Sequence, residues 1–381
     1  MLLLNVIIIL NMLNSKLKIL ISCLIIGVAV ALTYYGFEFI VHHSINILWN
    51  DLFDTDSKRY MVIPASIIFG LIFFSLKNKL LPGQKSSESH GLGEGSTSPT
   101  VKYFFIILIV GYFSLVAGAS LGPEAILVPA CLTAGALIGK KFINNEENSG
   151  KIVSAAAVIA LFASFFHSFI VGLLCIFLVK KVAGAKITPA LVLIAVVASG
   201  AATLTLNIIE PTSANYFRLP QNSLELKLED GLIALVLVSL GYVSTMALKQ
   251  IYKVIDKVHK SLVGENVLKI ALIASVGLGF IYLIGGPLIQ FTGNESIKPL
   301  LDQAPTLGIA GLVWIWITKL IAVGWSKSLG YQGGLIFPMI FVGSTLVAMA
   351  LQISPNANFG FLLIATIVGI LAAEKKAKIL L

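Results

Sequence analysis

Charge is what this chain has least of. Asp, Glu, Lys and Arg together make up 12% of its 381 residues, against 57% hydrophobic, where soluble domains carry about 25% charged residues. That excludes a water-soluble globular domain. Acid is scarcer than base, 18 residues against 27, for a net charge of +9. In a soluble protein such a balance points to nucleic acid. In one this apolar it reads as lysines in short loops between membrane spans, where they set topology and meet anionic lipid. The same charge raises the local concentration of anions near a pore mouth, and no nucleic-acid partner is expected. Carboxylates are nearly missing from the apolar runs, which keep Glu38 and Glu124 and hold no paired Asp, His–Glu or Ser–His set. Chemistry inside a membrane needs such sets, so the chain does not read as an enzyme. Cysteine is rare too. Cys23, Cys131 and Cys175 each lie in an apolar run without metal-ligand spacing; they read as buried thiols, and neither a metal nor a cofactor is expected. The first apolar run, Met1–Leu13, has no basic leader and no small-residue cleavage site, so it reads as an uncleaved segment.

Apolar length is what the chain has in quantity. Runs long enough for membrane helices recur throughout. They predict helices near 19–41, 60–76, 101–117, 123–142, 187–209, 229–254, 266–284, 306–325, 337–353 and 359–373, with shorter ones at 152–166 and 168–179. Residues 44–59, with Trp49, Asp51, Asp54 and Asp56, read as an interfacial loop or helix. Lys77–Thr100 and Glu210–Asp230 are the longest polar connections, and Gln290–Gln303 reads as a polar loop. His167, between two short helices, reads as a buried histidine, and Trp314, Trp316 and Trp325 as packing or interfacial anchors. The expected fold is an all-α polytopic protein of the cell membrane. It is organised as an N-terminal segment 1–18, a first membrane repeat 19–209, a central loop 210–228 and a second repeat 229–381.

Two breaks interrupt the apolar pattern at matching places in the two repeats. The first is Gly118-Ala119-Ser120-Leu121-Gly122-Pro123-Glu124-Ala125; the second is Gly330-Tyr331-Gln332-Gly333-Gly334-Leu335-Ile336-Phe337-Pro338-Met339. Gly118, Gly333 and Gly334 permit a non-helical path. Pro123 and Pro338 suit the first turn of a new helix, where no N–H donor is needed. Each helix start turns unpaired N–H groups and a positive dipole end toward what precedes it, a ready anion site. Broken backbone at membrane depth is tolerated where it lines a cavity or is buried in protein, and paired breaks in two halves mark a transporter binding site. The candidate anion ligands are backbone groups of Ala119, Ser120, Leu121, Gly122, Leu335, Ile336 and Phe337, with the Ser120 hydroxyl as a further donor. Backbone N–H groups hold a halide without a full fixed charge, so it is able to leave. Phe337 and Tyr331 read either as walls of the pathway or as packing.

Together the two breaks resemble the CLC chloride channels and transporters, whose motifs are GSGIP, G(K/R)EGP and GxFxP. Gly122-Pro123 fits the end of the second motif and Ser328–Pro338 the third. Ser120-Leu121-Gly122-Pro123-Glu124 with Gly333-Gly334-Leu335-Ile336-Phe337-Pro338, and Gly285-Gly286-Pro287, are most similar to a divergent bacterial branch of ion-transport proteins. The resemblance implies an inverted repeat of tilted, broken helices, a chloride or other small-anion substrate, and a homodimer in the lipid bilayer. It also implies several helices beyond the second break, one supplying a tyrosine to the anion; here one further apolar run follows, so the second repeat reads as shortened and part of the dimer surface as missing. Leu121 stands where the family has its gating glutamate, and Leu178-Val179 where it has an inner proton glutamate. The serine of the first motif has no clear counterpart: Leu92 falls there, with Ser89 and Ser96 near. The expected activity is therefore passive, channel-type anion movement, with a proton-coupled transporter of chloride, fluoride or another small anion, acting through Glu124 or Glu94, as the alternative. Glu124 has two readings, a carboxylate favoured by its helix N-terminus by roughly 0.3–1 kcal/mol or a displaced gate.

Overall fold

The computed structural model describes residues 15–82, 100–142, 147–177, 179, 188–210, 227–262 and 266–377. These form helices α1 (Ser15–Ile45), α2 (Val62–Leu80), α3 (Val101–Val116), α4 (Glu124–Phe142), α5 (Glu147–Phe165), α6 (Phe169–Leu174), α7 (Pro189–Ile209), α8 (Leu228–Leu262), α9 (Val267–Gly285), α10 (Ile297–Ser328), α11 (Ile336–Ile353) and α12 (Phe359–Ala377). Among the described residues, eight helices are long and apolar enough to cross a membrane. The protein is a multi-pass integral membrane protein of all-α class. The positions that the family comparison singled out at Ser89, Leu92, Glu94, Ser96 and Leu178 lie outside the described residues.

The chain divides into two compact units. One gathers Met1–Ile40, Leu92–Ile109 and Ile126–Tyr216. Lipid gives apolar helices no hydrophobic reason to associate, so close backbone approach at small residues does that work. Here a Cβ at Gly27 of α1 would meet Ala198 O of α7 at 2.8 Å, and one at Gly172 of α6 would meet Ser199 Oγ of α7 at 2.2 Å. Two helix starts of this unit are capped by a hydroxyl: Ser168 Oγ accepts from Val171 N at 3.3 Å and Thr188 Oγ1 from Leu191 N at 3.2 Å, with Pro189 in the first turn. His167, in the turn between α5 and α6, has a positive φ of 45°. Cys131 and Cys175 are buried free thiols, as is Cys23.

The other unit gathers Val41–Gly91, Val110–Ala125 and Phe217–Leu381. In it α2 packs on α9, α8 on α12 and on α10, and α10 on α11. Glycine again sets the approach. A Cβ at Gly241 of α8 would fall 2.3 Å from Thr366 O, and one at Gly369 of α12 would fall 2.0 Å from Val238 O. Replacing Gly369 with Leu is expected to lower stability by about 1–3 kcal/mol, the usual effect of overpacking. Thermal unfolding of the detergent-solubilised protein measures it, and an unchanged midpoint would show that α8 and α12 are not tightly joined.

One sequence expectation changes in this unit. Half of the predicted polar loop Gln290–Gln303 is helix: α10 begins at Ile297, and its true break is Gly308, with φ 60° and ψ −178°. The polar residues there occupy one face, with Lys298 and Asp302 paired at 2.9 Å, while Ile297, Leu300 and Ala304 are buried at helical spacing. The stretch 44–59, expected as an interfacial loop or helix, is helical in part, and its Trp49 faces protein. After α1 the backbone forms a π-helical turn over Asn46–Leu52, and Trp49 is completely buried.

Candidate functional site

Both breaks lie within the second unit, and they touch. Gly122 N donates to Gly334 O at 2.8 Å, and Gly334 N donates to Gly122 O at 2.7 Å. This antiparallel pair is an isolated strand-like contact between the two helix starts. Leu121, fully buried, packs on Gly333, where an added Cβ would sit 2.5 Å from Leu121 Cβ.

Broken backbone leaves carbonyls without helical partners, and inside apolar surroundings each must find a donor. The first break finds three. Trp49 Nε1 donates to Val116 O at 2.8 Å, Tyr282 Oη to Gly118 O at 2.5 Å and Thr292 Oγ1 to Leu121 O at 2.9 Å. Trp49 also explains Gly118, whose φ is 93° and whose Cβ would lie 2.8 Å from the indole. The second break is served by lysines: Lys77 Nζ donates to Gly330 O at 2.7 Å and Lys327 Nζ to Gly333 O at 3.2 Å.

The N–H groups are divided unevenly. In the first break Ala119 N donates to Ser114 O at 3.3 Å and Ser120 N to Ser326 Oγ at 3.0 Å, so with Gly122 three of the four candidate donors bond to protein. The Ser120 hydroxyl is buried beside that of Tyr282 and makes no hydrogen bond of standard geometry among the described residues. In the second break Gln332 N donates to Ser114 Oγ at 2.7 Å. The first N–H groups of α11 point at Glu124: Ile336 N makes a short bond to Oε1, and Phe337 N donates to the same oxygen at 3.2 Å. Leu335, at the N-cap of α11, offers no side-chain cap. The carboxylate at the start of α4 thus caps the other helix, where its charge meets the positive dipole end.

Glu124 is 1% exposed, its own backbone N–H also faces the carboxylate, and among the described residues Oε2 has no hydrogen-bond partner. Glycine makes the room. A Cβ at Gly122 would fall 2.0 Å from Oε2, and one at Gly334 would fall 2.2 Å from Glu124 Cγ and 2.6 Å from Oε1. Lys327 interacts electrostatically with both Glu124 and Lys77. Pro123 precedes the first turn of α4 and Pro338 lies in the first turn of α11, positions that need no donor.

The lysines correct the sequence reading. Lys319 and Lys327 are buried within α10 rather than placed in loops, and Lys77 belongs to the last turn of α2. The signal was available at Thr318-Lys319-Leu320: a lysine inside an apolar run is expensive, and its cost marks it as functional.

The model of a protein family described as Voltage gated chloride channel matches residues 83–381. Over 119 residues the chain is 27% identical to YfeO of Salmonella newport (strain SL254), a protein named for ion transport, and equally to that of Salmonella agona (strain SL483). The matched stretch is 31% of this chain and spans only 27% of the relative's length. Among solved structures, a slow cyanobacterial chloride/proton antiporter superposes with a TM-score of 0.72 at 14% identity, covering 94% of this chain and 95% of that one. A CLC-type fluoride/proton antiporter gives 0.66 at 18% identity, covering 94% and 86%. At these identities the likeness is one of fold.

Proposed function

The chain belongs to the voltage gated chloride channel family, and on that footing we propose that it moves small anions across a membrane through the meeting point of its two breaks. In this reading the anion position lies at the start of α11 and is held by the Glu124 carboxylate. The observation that carries it is the pair of bonds from Ile336 N and Phe337 N to Oε1. A carboxylate oxygen and a halide ask for the same thing, converging N–H donors at a helix start. Where one sits the other is excluded, so the anion enters when the carboxylate leaves or is neutralised. Leu121 leaves the usual gate position apolar, and Glu124, three residues on, reaches α11 from the first turn of its own helix. The gate is displaced along the chain and not lost. Gly122 and Gly334 keep the position open, while Ala119, Ser120 and Leu121 form the wall opposite.

A carboxylate that leaves most readily when protonated ties anion occupancy to pH, which supports proton-coupled movement of chloride or fluoride. Passive movement is the second reading, favoured by the apolar Leu178-Val179 where a second proton carrier would stand. Purified protein in liposomes separates them. Efflux of chloride, fluoride and nitrate is recorded together with proton uptake. Halide flux with proton movement in fixed ratio supports coupling, halide flux without it supports the passive reading, and no flux of any of the three sinks the anion reading.

A further inference from the structure

Lys319 is a buried charge that the anion pathway leaves unexplained. It stands inside the membrane-length helix α10 with no exposed surface. Its ammonium donates to Phe291 O at 2.7 Å and Ile289 O at 3.1 Å, and lies 5.1 Å from the centre of the Phe341 ring. Among the described residues no charged group acts on it. An ammonium buried without a counter-ion is costly, and an apolar side chain of similar length would fill the space more cheaply. What it holds is therefore informative.

It holds a loop that is itself tied to the first break. Phe291 N donates to Tyr282 Oη at 2.9 Å, and that hydroxyl donates to Gly118 O at 2.5 Å. The next residue, Thr292, donates to Leu121 O at 2.9 Å. The loop follows a constrained path, with φ of 52° at Phe291 and 94° at Gly293. A Cβ at Gly293 would lie 3.0 Å from both Lys319 Nζ and Phe341 Cγ, so ammonium, loop and ring form one close-packed set. Phe341 is one helical turn beyond Phe337, whose N–H bonds Glu124. An aliphatic side chain offers neither carbonyl a donor; the nitrogen of Lys319 offers one to each.

We infer that Lys319 is a positioning residue of the anion site: its ammonium clamps residues 289–293, and through Tyr282 and Thr292 this loop fixes the carbonyls of Gly118 and Leu121 beside the cradle. The functional half of the inference rests on the anion reading above; the clamp itself does not. Lys319→Met removes the donors and keeps the length, Lys319→Arg keeps the charge and donors, and Thr292→Val cuts the link nearest the cradle. Two measurements are made on each purified protein: amide hydrogen exchange over 287–296 and 117–122, and the ratio of chloride to fluoride flux in liposomes. Lys319→Met is expected to speed exchange about tenfold in both segments and to shift the flux ratio by about threefold or more, the usual scale of coupling through a packed network. Lys319→Arg recovers most of both. Thr292→Val speeds exchange in 117–122 alone and shifts the ratio in the same direction. Faster exchange in 287–296 with the ratio and 117–122 unchanged would make Lys319 a local structural residue and overturn the inference, as would unchanged exchange everywhere. If Lys319→Met does not fold, Thr292→Val decides: an unmoved ratio overturns the inference. Wild-type protein with no flux sinks the anion reading and the functional half with it, while the exchange data still judge the clamp.

Discussion

Glu124→Gln is expected to raise anion flux at neutral pH and to erase the increase that wild-type protein shows on acidification. The carboxylate is held by Ile336 N and Phe337 N. A hydrogen bond to a charged acceptor contributes about 1.5–3 kcal/mol, and a neutral one about 0.5–1.5 kcal/mol. Two bonds weakened in this way favour departure of the side chain by roughly 2–3 kcal/mol, about thirty- to 150-fold in occupancy by the incoming anion. Acid does the same to the wild type, because a protonated carboxyl no longer competes as an anion for the helix start. The sign is therefore fixed: wild-type flux rises as pH falls, and the amide variant is fast and flat. Liposome efflux over a pH series measures both. If Glu124 merely caps α11, the variant keeps the wild-type rate and pH profile, and the gate assignment fails.

Each half of this site was legible in the sequence, and the joining of the halves was not. Gly118, Gly122, Pro123, Gly333, Gly334 and Pro338 announce two helix starts because glycine and proline act on their own backbone and need no neighbours to be read. The partner of Glu124 is a different matter. Its Oε1 meets an N–H 212 residues away, and periodicity says nothing about contacts at that separation. From sequence alone Glu124 was equally a carboxylate at its own helix start; the fold makes it the cap of the other one. Ser120 shows the converse. It sits in the right motif, yet its N–H is taken by Ser326. Polarity misled where it was amphipathic, at Lys298 and Asp302 on the outer face of α10. Averaging hid Lys319 and Lys327, because a window of apolar residues tolerates one lysine without changing its character, whereas the energetics do not. The extents of α3, α4, α7, α9 and α11 followed the apolar runs closely because length against bilayer thickness is a strong constraint, whereas α8 and α10 overran theirs.

Gly334→Ala is expected to abolish anion flux, and adding Glu124→Ala is expected not to restore it. The added methyl carbon would lie 2.2 Å from Glu124 Cγ, 2.3 Å from Cδ and 2.6 Å from Oε1, all inside van der Waals contact, which for carbon begins near 3.5 Å. The carboxylate must leave the start of α11. If the glycine existed only to admit that side chain, expelling it would leave the pathway open, and the single variant would resemble Glu124→Gln. But Oε1 marks the place where the N–H groups of Ile336 and Phe337 converge. A halide bound by those groups would occupy that same place, and the methyl group overlaps it too. Removing the Glu124 side chain does not remove the methyl. The two single variants and the double variant, compared in one liposome assay at equal protein, thus tell a gate from a binding position. Loss of flux in Gly334→Ala that persists in the double variant locates the anion at the start of α11. Recovery in the double variant would mean that the anion travels elsewhere and that the carboxylate alone needs the glycine. Protein folding is checked separately by thermal unfolding, because Gly334 also makes both hydrogen bonds to Gly122; those bonds use backbone atoms that alanine retains, so the contact between the breaks is expected to survive the substitution.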